Sequence, residues 1–472
     1  MRKTIIALAV ALALPAAAQN VDIEALSGLQ FNFGNPGARS LGMGGAFLGL
    51  ADDASAAEAN PAGLTILRKT EVSVEGRNYV EEQAFSTSGT FPAIQRTAFQ
   101  HHSDRVVVSF ASAVFPIRNK FTVGVYYHEP LHNEGGGVVQ ARRDEFTGDV
   151  IPTPTFYLPT EGSSIDTVRF VGDPITRAEC LQRRQTTKNP FSCLQYNIDP
   201  FVSALSVRQR TLGVAGAWQV HPKFSIGVTA REQRLLESAA TFRFSSTPVV
   251  ALKQSIIQAT ARERNGQVDL AEERDLTFTV GFKWAPSDKI SFGGVYKQGP
   301  NFETSLFYAD ANTGNEFITA AKTSFHIPDV AGLGVSVRPI APLTVNFDAV
   351  HVKYSNLVDN FVAATADVSD LENPFSAADV TELHLGAEYL FPTKIPIALR
   401  AGYWTDPAHS VTWNGPLNHP SYVAEALLFP EGEDQTHMSI GAGIALQRFQ
   451  IDLAYDTADT YKVGSISVVT RF

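Results

Sequence analysis

The chain has 472 residues, 44% of them hydrophobic, a mean hydropathy of −0.04 and a formal net charge of −10. That is too polar for a bundle of membrane helices, and the acidic balance argues against nucleic acid as a partner. Beyond residue 18 no run of about 18 apolar residues could cross a bilayer as a helix, so a chain of this kind that crosses a membrane must do so as a barrel.

Residues 1–18 read as a secretory signal peptide. Arg2 and Lys3 form a basic start, Ile5 to Leu14 a short apolar core, and Pro15 with Ala16, Ala17 and Ala18 a small-residue cleavage pattern before Gln19. A stretch dense in small residues follows, from Gly42 to Leu64, inside a segment we place at 19–70. Gly42, Gly44, Gly45 and Gly49 permit close backbone approach. Ala51 to Ala59 suits a short helix with Asp52 or Asp53 near its start, and Asn60-Pro61 ends it. Small residues packed this densely suit a segment folded inside a confined space, and we expect a plug.

From Glu71 the apolar period becomes two. Leu383, Leu385, Ala387, Tyr389 and Phe391 alternate with His384, Gly386 and Glu388, and Leu276 to Trp284 behaves likewise. Short links at 115–120, 219–223, 285–289, 339–342, 391–394 and 447–449 alternate with long polar ones at 80–104, 130–201, 245–275, 304–322, 358–380 and 406–435. Short turns on one side and long loops on the other are the habit of outer-membrane barrels. We therefore expect an all-β fold: an antiparallel barrel of roughly fourteen strands over 71–472, with both ends on the short-turn side. The last strand ends in an aromatic residue, Phe472, which shares a face with Val468 and Ile466. Cys180 and Cys193 lie in one long polar link, where an oxidising compartment favours a local disulfide, with a stabilisation of about 3 kcal/mol.

Gly42, Gly45-Ala46-Phe47, Ala51-Asp52-Asp53-Ala54-Ser55 and Asn60-Pro61-Ala62 together resemble the N-terminal hatch of the FadL/TodX outer-membrane transporters. The resemblance also covers the overall plan of signal peptide, hatch, fourteen-stranded barrel and terminal Phe. It implies passive inward transport of long-chain fatty acids or other hydrophobic compounds. Capture among extracellular loops, hatch movement and exit through an opening in the wall would be the steps. The stretch between Phe47 and Asp52 is shorter than in fatty-acid carriers. The form of the motif is also similar to the PorV-type secretion barrels, so a barrel that docks a protein partner is the alternative, with an outer-membrane lipase as a third reading.

A barrel of this width leaks unless it is filled, so an open porin is not expected. Two adjacent carboxylates inside a lumen need partners. For Asp52 and Asp53 the inward-facing cations Arg208, Arg210, Lys283 and Arg400 are candidates. The aromatic residues Phe146, Phe156, Tyr157, Phe170 and Phe191 mark the 130–201 link as a candidate capture surface. No GxSxG elbow occurs, and the His101-His102 pair lacks further ligands at metal spacing. We expect no catalytic site, metal or cofactor, and a monomer whose partners are a hydrophobic small molecule and outer-membrane lipids.

Overall fold

A computed structural model describes residues 33–84, 100–118, 120–139, 142–143, 150–151, 155–161, 169–170, 175–197, 201–243, 254–259, 261–264, 267–270, 272–310, 317–359, 371, 374–415, 433–459 and 461–472. The signal peptide expected at 1–18 and Phe146 lie outside these residues.

Fourteen antiparallel strands close into a barrel. They are β1 (Glu71–Ala84), β2 (Gln100–Arg118), β3 (Phe121–Val139), β4 (Phe201–His221), β5 (Phe224–Arg243), β6 (Glu273–Ser287) and β7 (Ile290–Lys297). Then follow β8 (Asp329–Ile340), β9 (Leu343–Lys353), β10 (Val380–Phe391), β11 (Ile397–Asp406), β12 (Gln435–Ala445), β13 (Phe449–Thr457) and β14 (Tyr461–Arg471). Each pairs with its neighbour in sequence, and β1 pairs with β14 from Glu71↔Arg471 to Glu81↔Tyr461. The two ends of the barrel chain meet there, where the Phe472 amide donates to the Thr70 carbonyl at 3.0 Å.

The period-two pattern fixes which side chains face lipid. On β6, Leu276 and Phe278 are 73% and 44% exposed, whereas the intervening Thr277 and Thr279 are 3% and 1% exposed. Leu383 and Leu385 on β10 likewise point out, and His384 and Glu388 point in. An apolar exterior around a polar interior inverts the arrangement of a water-soluble sheet, and only lipid can satisfy the outer face.

All six expected short links are tight turns. Five of the seven opposite connections are long. In the sixth, β7 and β8 run on as a hairpin, Asn301–Asp310 paired with Phe317–His326. The last departs from the expected alternation, because only residues 458–460 separate β13 from β14. His101 and His102 lie on β2, not in a loop. Cys180 and Cys193 form a disulfide with Cα atoms 5.5 Å apart. It ties helix α3 (Arg177–Thr187) to the short strand Cys193–Asn197 within the β3–β4 connection. Thr176 and Glu179 form a capping box at the start of α3, which satisfies amides that would otherwise lack partners.

Candidate functional site

Residues 34–67 lie inside the barrel. They form α1 (Ala38–Leu41), α2 (Ala56–Ala59) and a 3-10 turn (Pro61–Ile66), and most of their side chains are buried. Helices this short cannot be stable alone. The wall holds this segment chiefly by its backbone. The Gly37 amide donates to Glu75 Oε2 on β1 at 2.8 Å, and the amides of Phe47 and Leu48 donate to Asp348 Oδ2 on β9 at 2.7 and 2.8 Å. The Gly44 carbonyl meets His384 Nδ1 on β10 at 2.7 Å. Lys283 Nζ on β6 donates to the carbonyls of Gly49 and Leu50, and the Ser291 hydroxyl on β7 donates to Gly49 at 2.7 Å. Buried backbone groups need such partners, and here strands from around the barrel supply them.

Close approach needs a wall without side chains at the points of contact. A Cβ at Gly293 on β7 would overlap the Leu48 carbonyl, and one at Gly402 on β11 would overlap the Gly44 amide. Both glycines occupy strand positions whose only evident use is to let another backbone in.

Each motif residue has a place in this packing. Asn60 is fully buried. Its Nδ2 donates to the carbonyls of Leu48 (3.1 Å) and Phe282 (3.0 Å), and its Oδ1 accepts from the Ala62 amide at 3.2 Å. Pro61 and Ala62 lie against Gly227 on β5, Gly42 lies against Gly441 on β12, and Gly45 takes a positive φ of 77°. The helix expected across Ala51–Ala59 is shortened to α2, because Ala51 adopts a positive φ and Asp53 instead accepts from the amide (2.9 Å) and hydroxyl of Ser55.

None of the four candidate cations lies within ion-pair distance of the two carboxylates, although Asp52 acts on Lys283 through space. Arg39 on α1 pairs with Asp52, lies 3.7 Å from Asp53 and reaches Glu388 on β10 at 2.9 Å. Burial pushes the Asp53 carboxyl above its ordinary range, with Arg39 opposing the shift. Lys283 serves the plug carbonyls instead. Arg400 is taken by Glu388 (2.7 Å) and Asp452 (2.8 Å) on the wall. Arg208 and Arg210 pair with Glu129, on a different part of the wall.

An apolar cluster closes the opposite end of the lumen. Leu131, Leu235, Phe302, Ile327, Val330, Val352, Tyr354, Leu357, Phe375, Val380 and Val411 are all buried there. They come from strand ends, Leu131 at the start of the 130–201 link among them, and from the connections around 354–358, 374–377 and 407–415. Within that link, Phe156, Tyr157 and Phe170 belong to a small sheet of Thr155–Glu161, Arg169–Phe170 and Cys193–Asn197, and Phe191 lies in the turn before it. Phe33, at the start of the described plug, packs edge-on against Tyr354 at 6.1 Å.

Between cluster and plug lies a cavity of about 50 Å³. Phe33, Leu131, Ile327 and Val330 line one end, and Glu58, His128, Arg231 and Lys297 the other. Glu58, on α2, accepts from Lys297 Nζ at 3.0 Å and from the Tyr126 hydroxyl. Burial opposes ionisation of Glu58, but Lys297 and Arg231 outweigh it and hold the carboxyl down to about 2.

The wall is also split. β2 and β3 pair from Arg118↔Phe121 up to Phe110↔His128. Above that level, among the described residues, β2 pairs with β1 as far as Ala84↔Gln100, and β3 pairs with β4 as far as Val139↔Phe201. Both edges of this seam are irregular where it begins, at Ser109 on β2 and at Glu129-Pro130 on β3. Pro130 has no N–H to offer a ladder.

Residues 185–468, more than half of the chain, match the family of outer membrane protein transport proteins (OMPP1/FadL/TodX). The fold is similar to that of a Pseudomonas aeruginosa FadL homologue (13% identity, 94% of this chain and 100% of that one, TM-score 0.58). It is also similar to the Ralstonia pickettii toluene transporter TbuX (14%, 94% and 100%, 0.53) and to the CymD monoaromatic hydrocarbon channel (16%, 94% and 99%, 0.53). No curated protein matches the chain. Neither the family match nor these neighbours favours the secretion-barrel or lipase reading. The chain belongs to the outer membrane protein transport family (OMPP1/FadL/TodX), and its place is the outer membrane.

Proposed function

We propose that the protein carries hydrophobic small molecules inward across the outer membrane without an energy source. Monoaromatic hydrocarbons and long-chain fatty acids are the two candidate classes. The first is what several proteins of similar fold are named for. The second is what the hatch motif and the apolar mouth suit. The observation that carries the reading is the seam between β2 and β3, which begins beside the lumen just where the plug blocks the straight route. A molecule entering through the apolar mouth can leave sideways into lipid and never meet water. Each methylene kept from water is worth about 0.8 kcal/mol, so a polar exit through the plug would be costly for such a cargo. Asp52, Asp53, Asn60 and Pro61 then act as anchors of the plug and not as ligand contacts.

The test is binding of radiolabelled toluene and palmitate to the purified protein, followed by uptake into cells. Saturable binding of either class is expected, with uptake abolished when a cysteine pair crosslinks β2 to β3 across the seam. Absence of saturable binding across both classes would sink the proposal.

A further inference from the structure

We propose that the outer face of β4, β5 and β6 binds the phosphate groups of an outer-leaflet glycolipid through a row of arginines, Arg210, Arg234 and Arg274, with Arg208 beside it. The site lies on the lipid side of the wall and stands apart from the luminal route of the transport reading.

Register and alternation place the row. Arg234 on β5 is directly opposite both Arg210 on β4 and Arg274 on β6. On these strands Gln209, Thr211, Gln233, Leu235 and Thr277 point inward and are 5% exposed or less. The arginines alternate with them, so they share the outer face with Leu212, Val214, Leu276 and Phe278, each at least 44% exposed. Arg208 and Arg210, expected to face the lumen, face out. Strands about 4.8 Å apart set the three arginines across about 10 Å of wall. Like charges directly opposite one another destabilise a sheet. A chain with a net charge of −10 gains nothing from such a row unless an anion meets it.

The protein's own carboxylates are too few to fill that role. Glu129 is divided among Arg208 (3.4 Å), Arg210 (3.2 Å) and His132 (2.7 Å). Glu272 is divided among Arg210 (3.6 Å), Arg234 (3.4 Å) and Arg274 (3.7 Å), and Glu232 pairs with Arg234. Among the described residues, four guanidinium groups with about five donors each thus share three carboxylates. The Arg274 side chain is 57% exposed, and its 3.7 Å pair with Glu272 is beyond hydrogen-bond reach. Spare guanidinium donors facing outward suit the oxygens of a phosphate, which they can hold two at a time.

Height decides which phosphate. β4 ends at the tight turn after His221, and Arg210 lies about 36 Å along the strand from there, or about 26 Å along the barrel axis at a tilt near 45°. That is the top of an apolar band about 25 Å tall, with Trp218 and Trp284 exposed at its short-turn side. Directly below the row, Leu212, Val214, Val228, Leu276 and Phe278 offer apolar surface to acyl chains. A ligand that satisfies both levels has a phosphorylated head and a hydrocarbon body, so it is a lipid and not a free ion.

The experiment measures binding to the full-length protein in detergent by native mass spectrometry. The probes are diphosphoryl lipid A, the same lipid with both phosphates removed, and inorganic phosphate. Wild type is expected to prefer the phosphorylated lipid about 30-fold, and Arg234→Gln to lose about tenfold of that preference and Arg274→Gln about threefold. Lys289→Gln, in a short turn at the other end of the barrel, is expected to match wild type. Equal affinity of wild type for the two lipids overturns the inference, and so does a loss in Lys289→Gln as large as in Arg234→Gln. Displacement of the lipid by millimolar inorganic phosphate assigns the row to a free anion and overturns its lipid source. Should Arg234→Gln not fold, Arg274→Gln, at the most exposed of the four arginines, decides alone: a preference equal to wild type refutes the site. The transport reading survives any of these outcomes, because toluene and palmitate test it separately.

Discussion

Replacing Asn60 by Ala tests the plug most directly. The side chain makes three hydrogen bonds in a fully buried setting, two to carbonyls 12 and 222 residues away and one to the amide at Ala62. At about 1 kcal/mol net for each, the loss is about 3 kcal/mol. The Phe282 bond is the one that joins plug to wall, and the other two shape the plug itself, so most of this energy stabilises the seated conformation. Converted at about 1.4 kcal/mol per decade, it raises the unseated population on the order of 100-fold. The assay is ion conductance in planar bilayers, with folding of the barrel checked by its heat-modifiable migration on a gel. Asn60→Ala should open far more often than wild type, and Asn60→Asp, which turns a carboxylate oxygen towards the Leu48 and Phe282 carbonyls in a buried site, should open at least as often. An Asn60→Ala barrel that folds and stays as silent as wild type would refute the anchoring role.

Gly293→Ala should behave like a wedge: its Cβ overlaps the Leu48 carbonyl, so the strand folds but the plug cannot seat, and limited proteolysis should cut within residues 44–52 only in the variant. Glu58 gives a pH limb. Its carboxyl sits at about 2 in the folded chain against 4.5 ordinarily, so its contribution, about 3 kcal/mol, is complete above pH 4.5 and is lost as pH falls towards 2. Leakage in wild type should therefore grow below about pH 4, at the lower carboxylate range, and Glu58→Gln should lack that limb. Identical acid limbs in the two proteins would show that Glu58 does not hold the plug.

The sequence by itself determined the wall. A period of two over β6 or β10 leaves no choice of face once the exterior is lipid, and short turns alternating with long links set strand number and direction. That residues 42–64 pack in a confined space was legible as well, because few other settings need Gly and Ala at such density beside Asp52-Asp53 and Asn60-Pro61. The partners of the plug were not legible. Arg39 meets Glu388, the amides of Phe47 and Leu48 meet Asp348, and Glu58 meets Lys297, across separations of 239 to 349 residues. Which inward-facing residue stands opposite which plug atom depends on strand register and the depth of the plug, and neither leaves a mark in local composition. Inward glycines such as Gly293 and Gly402 were the available signal, since a strand gains nothing from them unless another backbone approaches. The share of the connections around 354–358, 374–377 and 407–415 in the apolar mouth was not legible for a related reason. Aromatic content shows that a loop can bury rings, but only the closed barrel decides which connections meet over the lumen.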